Sequence, residues 1–170
     1  MLGFLFRRLT ADPERGSELF AAVTGIAREP HWFVAGEVPD TLDGRFAVLA
    51  TVGALVLVRL EKEGDAGNLM SVALTERFIE VMESEHRELG LGDPTLGKTV
   101  RKLVGSLARR TELWRAAIAG QEAWQIAARE SLSKDKLSSG ALAHSSGALK
   151  RLWDDLQRAD LADIEQGNLQ

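Results

Sequence analysis

The stretch Arg45–Glu61, RFAVLATVGALVLVRLE, decides the fold class. Its valines suit a strand, but seventeen residues without a turn signal exceed one strand and match a helix. Its central run, FAVLATVGALVLV, is thirteen residues, Phe46 to Val58, between Arg45 and Arg59. Crossing a bilayer takes about 20 apolar residues, so this run reads as a buried core helix. A helix apolar on nearly all sides belongs at the centre of a bundle, and Gly53 would let a neighbour approach closely.

Outward from this helix the same periodicity recurs. Upstream, Leu19, Ala22, Val23 and Ile26 lie at helical spacing behind Ser17, which reads as an N-cap, and Pro30 ends that helix. Residues 30–44 form a structured loop with Trp32 and Phe33, from which Asp40 or Asp43 opens the apolar run. Downstream, EKEGDAGN reads as a loop, and a helix from Leu69 to Leu89 carries Met70, Leu74, Phe78 and Val81 on one stripe, with Met82 and Leu89 at its edge. Leu96, Val100, Leu103, Leu107, Trp114 and Ile118 mark a further helix to about Ala119. Gly120 breaks it, Gln121–Ser131 forms another around Trp124, and Ala148–Asp163 the last, followed by a polar tail. SLSKDKLSSGALAHSSG, rich in Ser and Gly, reads as a mobile linker.

The expectation is therefore an all-α, single-domain bundle of about five to six helices round a central apolar helix. Its divisions are an N-terminal segment 1–16, a helical domain 17–132, a linker 133–147 and a C-terminal helix with tail, 148–170.

Composition narrows the function. The chain of 170 residues is 45% apolar and 27% charged, which suits one globular domain with a sizeable core. A net charge of −4 opposes a surface devoted to nucleic acid, and no nucleic-acid partner is expected. Without cysteine there is no disulfide, thiolate metal site or Cys nucleophile, and three scattered histidines, His31, His86 and His144, make no metal cluster. The opening MLGFLFRRLT does not read as an export signal, but LGFLFRRL could form an amphipathic foot on a membrane surface.

Residues Gly92–Thr99, GDPTLGKT, match the phosphate-loop pattern G-x-x-x-x-G-K-[ST], which would put Lys98 on phosphates and Thr99 on Mg²⁺. Such a loop follows a buried strand, and residues 69–89 have helix periodicity. The economical reading is a hinge between helices. Gly90 and Gly92 end one helix through a left-handed cap, Asp93 caps the next and Pro94 takes its first position. Nucleotide binding remains the alternative that a titration with Mg-ATP would test.

Beyond the hinge, Lys98, Arg101, Lys102 and Arg109 share the exposed face of the helix. From Lys98 to Arg110 there are five cations and no carboxylate, in a chain acidic overall. That face reads as a docking surface for an acidic protein segment or anionic headgroups. No catalytic constellation emerges: Ser71, Ser84 and Ser106 lack a placed histidine, and His86 among Glu83, Glu85 and Glu88 does not match the zinc pattern H-E-x-x-H. No enzyme, cofactor or metal site is expected.

Two segments in order, VPDTLDGRFAVLATVGALVLVRL at 38–60 and HRELGLGDPTLGKTVRKL at 86–103, resemble the ubiquinol-cytochrome c chaperone family. The resemblance takes in AREPHWF and spans roughly residues 17–119. Asp40, Thr41, Gly44, Arg45 and Phe46 match the family's first motif, and Arg87, Glu88, Gly90, Gly92, Asp93, Gly97 and Lys98 its second. His86 replaces an aliphatic residue, and SLARR at 106–110 replaces an aromatic-rich stretch. The resemblance implies an all-α assembly factor without catalysis, whose partner is newly made cytochrome b or its assembly intermediate, with or without a second assembly factor. It further implies a place at the cytoplasmic side of the bacterial plasma membrane, or the matrix side of the mitochondrial inner membrane. A general helical adaptor with another partner is the rival reading. Arg45, Arg87, Asp93, Lys98, Arg101, Lys102 and Arg109 are the expected partner-binding residues; Asp40, Thr41, Gly44, Phe46, Gly90, Gly92 and Gly97 are the expected structural motif.

Overall fold

The computed structural model describes residues 14–133 and 136–169. Its long elements are α1 (Ser17–Ala27), α2 (Leu42–Leu60), α3 (Gly64–Glu88), α4 (Asp93–Ile118), α5 (Trp124–Leu132), α6 (Ser139–Arg158) and the short α7 (Leu161–Glu165), with single 3₁₀ turns at Pro30–Trp32 and Glu61–Glu63. Among the described residues there is no strand, so the all-α expectation holds. The segment 1–13, with its expected membrane-touching foot, lies outside the described residues.

Helix α2 occupies the middle, packed against α1, α3, α4, α5 and α6. Val48, Val52, Leu55, Val56 and Leu60 are all fully buried, so the helix hides nearly its whole circumference. Around it the amphipathic helices turn in their stripes: Leu19, Val23 and Ile26 from α1; Met70, Leu74, Phe78 and Met82 from α3; Leu96, Val100, Leu107 and Trp114 from α4. A methyl group at Gly53 would meet Leu107 at 3.7 Å, an ordinary contact, so no unusually close approach depends on that glycine.

Capping chemistry departs from expectation at several ends. Ser17 is the first residue of α1, whose cap is Gly16 at φ 80°. Thr41, not Asp40 or Asp43, caps α2, its Oγ1 accepting from Gly44 N at 3.1 Å. The loop expected at EKEGDAGN is a 3₁₀ turn and the first turns of α3. Gly90 closes α3 as foreseen: at φ 85° its N–H reaches Arg87 O, while Leu91 N reaches His86 O, the paired bonds of a Schellman motif. Gly92 is extended and caps α4, so Asp93 and Pro94 are its first two residues and Asp93 caps nothing with its side chain.

The C-terminal third differs most. The residues read as linker are, from Ser139 onward, the first half of α6, opened by Ser138, whose Oγ accepts from Ala141 N at 3.1 Å. Ser145 and Ser146 are buried in its packed face. The tail is not free either: α7 buries Ile164, Leu169 follows it inward, and Gly167 lies against Glu18 of α1.

Candidate docking site

The two motifs singled out in sequence meet at one end of the bundle. In the first, Asp40 accepts from Arg45 Nε at 2.7 Å, an ion pair that holds the Asp40 carboxyl below its ordinary value by that hydrogen bond and raises Arg45 in turn. Gly44 lies so near the preceding loop that a Cβ would stand 1.8 Å from Pro39 O. Phe46 packs on Phe78 at 5.8 Å between ring centroids, and the Arg110 guanidinium lies over the Phe46 ring, 5.8 Å from its centroid. Arg110 itself turns inward, donating to Ser131 O at 3.0 Å and Ser106 O at 3.2 Å; burial lowers its pKa.

Lys98, Arg101, Lys102 and Arg109 are exposed, as their helical phase requires, and none has an ion pair among the described residues. Arg87, in the last turn of α3, and Asp93 are exposed as well. Arg45 is different. It is committed to Asp40 and borders a groove that none of the four α4 cations lines. Of the expected partner-binding residues, four share the α4 face and Arg45 stands at the groove rim, while Arg87 and Asp93 are not among the groove's lining residues.

Sequence reading missed the groove. It is a cavity of about 800 Å³ between the end of α1, the loop after it, the start of α2 and the second half of α3. Phe20, Phe33, Phe46, Leu49, Val81 and Leu103 form its floor, each half-buried and packed on the core. Val34, Leu42 and Leu89 stand at its mouth, 77%, 49% and 64% exposed. Val81 and Leu103 were already legible as stripe residues of α3 and α4, but nothing local shows that they meet Phe20, Phe33 and Phe46 around one cavity.

The phosphate-loop geometry is absent: Asp93–Thr99 are helical and helix α3 precedes them, so no backbone cradle surrounds Lys98. Among the described residues no group of three or more His, Asp or Glu could hold a metal ion. No described helix is long and apolar enough to cross a membrane. The described residues form an all-α scaffold that presents a cationic face on α4 and an apolar groove between α1, α2 and α3.

Residues 35–167 match the ubiquinol-cytochrome C chaperone family, and the chain belongs to that family. The match starts later than the resemblance read from sequence and continues through α5, α6 and α7. The fold is similar to the crystal structure of the Cbp3 homolog from Brucella abortus, with a TM-score of 0.78 at 23% identity, covering 99% of this chain and 94% of that one. No curated protein matches the chain.

Proposed function

We propose that the chain is a non-catalytic assembly chaperone that holds newly made cytochrome b, or an early intermediate containing it, during biogenesis of ubiquinol-cytochrome c reductase. The observation that carries the reading is the face of α4: Lys98, Arg101, Lys102 and Arg109 are exposed together without carboxylate partners among the described residues, in a chain of net charge −4. Such a face steers and orients an anionic partner rather than transforming it. Family membership supports a chaperone role. Peripheral contact with the cytoplasmic or matrix face of the membrane, and cooperation with a second assembly factor, belong to the same proposal.

The test is recovery of cytochrome b by the full chain from detergent-solubilised membranes, comparing the unaltered protein with Lys98→Glu/Arg101→Glu/Lys102→Glu/Arg109→Glu. Recovery by the first and loss with the second is expected, with loss also on raising salt. Equal recovery of cytochrome b by both would remove the α4 face from the reading. Its absence from both would favour a general adaptor with another partner.

A further inference from the structure

We infer that the groove between α1, α2 and α3 is a second docking site, and that its occupant is an apolar helical segment of another protein flanked at one end by Lys or Arg.

Three observations converge on this occupant. Of the five large hydrophobic side chains exposed among the described residues, three, Val34, Leu42 and Leu89, stand at this one groove. Scattered exposed hydrophobics are ordinary, whereas a cluster over an apolar floor marks a binding surface. A small ligand inside the cavity would leave those three in water; a helix laid across the mouth covers them while its side chains enter the cavity.

The rim supplies the polarity. Asp43, Glu85 and Glu88 border the groove with no ion pair among the described residues, against one unpaired guanidinium, Arg28, since Arg45 is taken by Asp40. His86 also borders it, its Nδ1 bonded to Met82 O at 2.8 Å. The balance favours cations beside an apolar stretch, which is the pattern at the cytoplasmic end of a membrane helix, where Lys and Arg collect. The floor carries one polar anchor: Thr24 Oγ1 is buried, lines the groove and has no hydrogen-bond partner among the described residues. The α4 face has the opposite charge, so the two surfaces select different parts of a partner. This inference rests on the chaperone reading only for the source of such a segment, and its test uses no cytochrome b.

The full chain is titrated with a labelled synthetic Leu/Ala helix bearing lysines at one end, and with its twin bearing glutamates. Binding of the lysine peptide at least about tenfold tighter than its twin is expected. Val34→Asp/Leu89→Asp, at two exposed positions, should weaken it by tenfold or more with the circular dichroism unchanged, and Glu85→Lys/Glu88→Lys should invert the preference between twins. Equal binding by unaltered and Val34→Asp/Leu89→Asp proteins, or no inversion, overturns the proposal. So does peptide binding that appears only after Phe4→Asp/Phe6→Asp, which would give the groove to the chain's own amino-terminal segment, or a dimer that Val34→Asp/Leu89→Asp dissolves. Failure of the cytochrome b recovery above leaves these outcomes readable.

Discussion

Ser131 Oγ and Thr51 Oγ1 lie 2.6 Å apart inside the core, joining α5 to the central helix across eighty residues of sequence. The bond belongs to a chain with one consistent direction. Trp114 Nε1 donates to Ser131 Oγ at 3.1 Å, Ser131 donates to Thr51, and Thr51 donates to Ala47 O at 2.7 Å. Three helices are thereby fixed in register by groups with no access to water. Ser131→Ala leaves the Trp114 N–H without its acceptor, and the expected loss is about 1–3 kcal/mol. Thr51→Val should cost a similar amount. Because each substitution breaks the same bond, the double variant should lose less than the sum, read from urea midpoints at constant slope. Strict additivity would show that the chain of bonds is not coupled.

The motif glycines divide into those the backbone requires and those it does not. At Gly44 a methyl group would meet Pro39 O at 1.8 Å, so Gly44→Ala must displace the start of α2 at a cost of about 1–3 kcal/mol or more. Gly90, at φ 85°, has open space around it, but an L side chain there is strained by about 1–2 kcal/mol. Gly97 lies inside α4 with nothing within 4 Å, and Gly97→Ala should stabilise by about 0.4–1 kcal/mol. Thermal denaturation of the three variants checks the order, with Gly97→Ala above the unaltered protein and the other two below it. A Gly97→Ala protein that melts earlier would mean that this glycine has a role outside local backbone preference.

The central helix was legible in sequence because its signal is length: thirteen residues of FAVLATVGALVLV fit neither a strand nor a membrane span. The first half of α6 was not, because composition outweighed spacing. Ala141, Ser145, Leu149, Leu152 and Leu156 recur at intervals of four, four, three and four, but the stripe counts only if a serine can be a core residue. Ser145 can, since it sits where Gly36 leaves no Cβ to oppose it. The exposed phase of Lys98, Arg101, Lys102 and Arg109 followed from the helical angle alone. The groove required knowing that three distant segments converge, and no local pattern encodes that.

His31 joins the loop after α1 to α6. Its Nε2–H donates to Glu29 Oε2 at 2.9 Å, so its Nδ1 accepts from His144 Nε2–H at 3.0 Å. Burial holds the His31 pKa below 6.5; Glu29 acts upward, His144 and Arg151 downward. A histidine depressed in the folded state binds fewer protons there than when unfolded, so stability is complete above the unfolded pKa and falls as pH drops from about 6.5 through the folded value. The urea midpoint should decline between about pH 7 and the acidic side of that window. His31→Gln should flatten the decline, and an unchanged slope would place its origin in another group.

Arg59 addresses the far end of α6. Its side chain is buried, yet all three nitrogens are used: Nε donates to Leu156 O at 2.8 Å, one terminal nitrogen to Ala159 O at 2.8 Å and the other to Glu63 Oε1 at 2.6 Å. Leu156 and Ala159 stand at the end of α6, where carbonyls have no N–H one turn ahead, so Arg59 caps that helix from the central one. A cation at a helix C-terminus also meets the negative end of its dipole. Arg59→Leu preserves apolar volume but strands those carbonyls, with an expected loss of about 1–3 kcal/mol for each left unsatisfied. Arg59→Lys keeps the charge without the planar fork and should recover only part of it. Hydrogen exchange locates the effect: amides in the last turns of α6 and in α7 should lose protection in Arg59→Leu while those of α3 keep theirs, because the damage is a frayed helix end before it is global. Uniform loss across the chain would make Arg59 a general core residue and not the cap of α6.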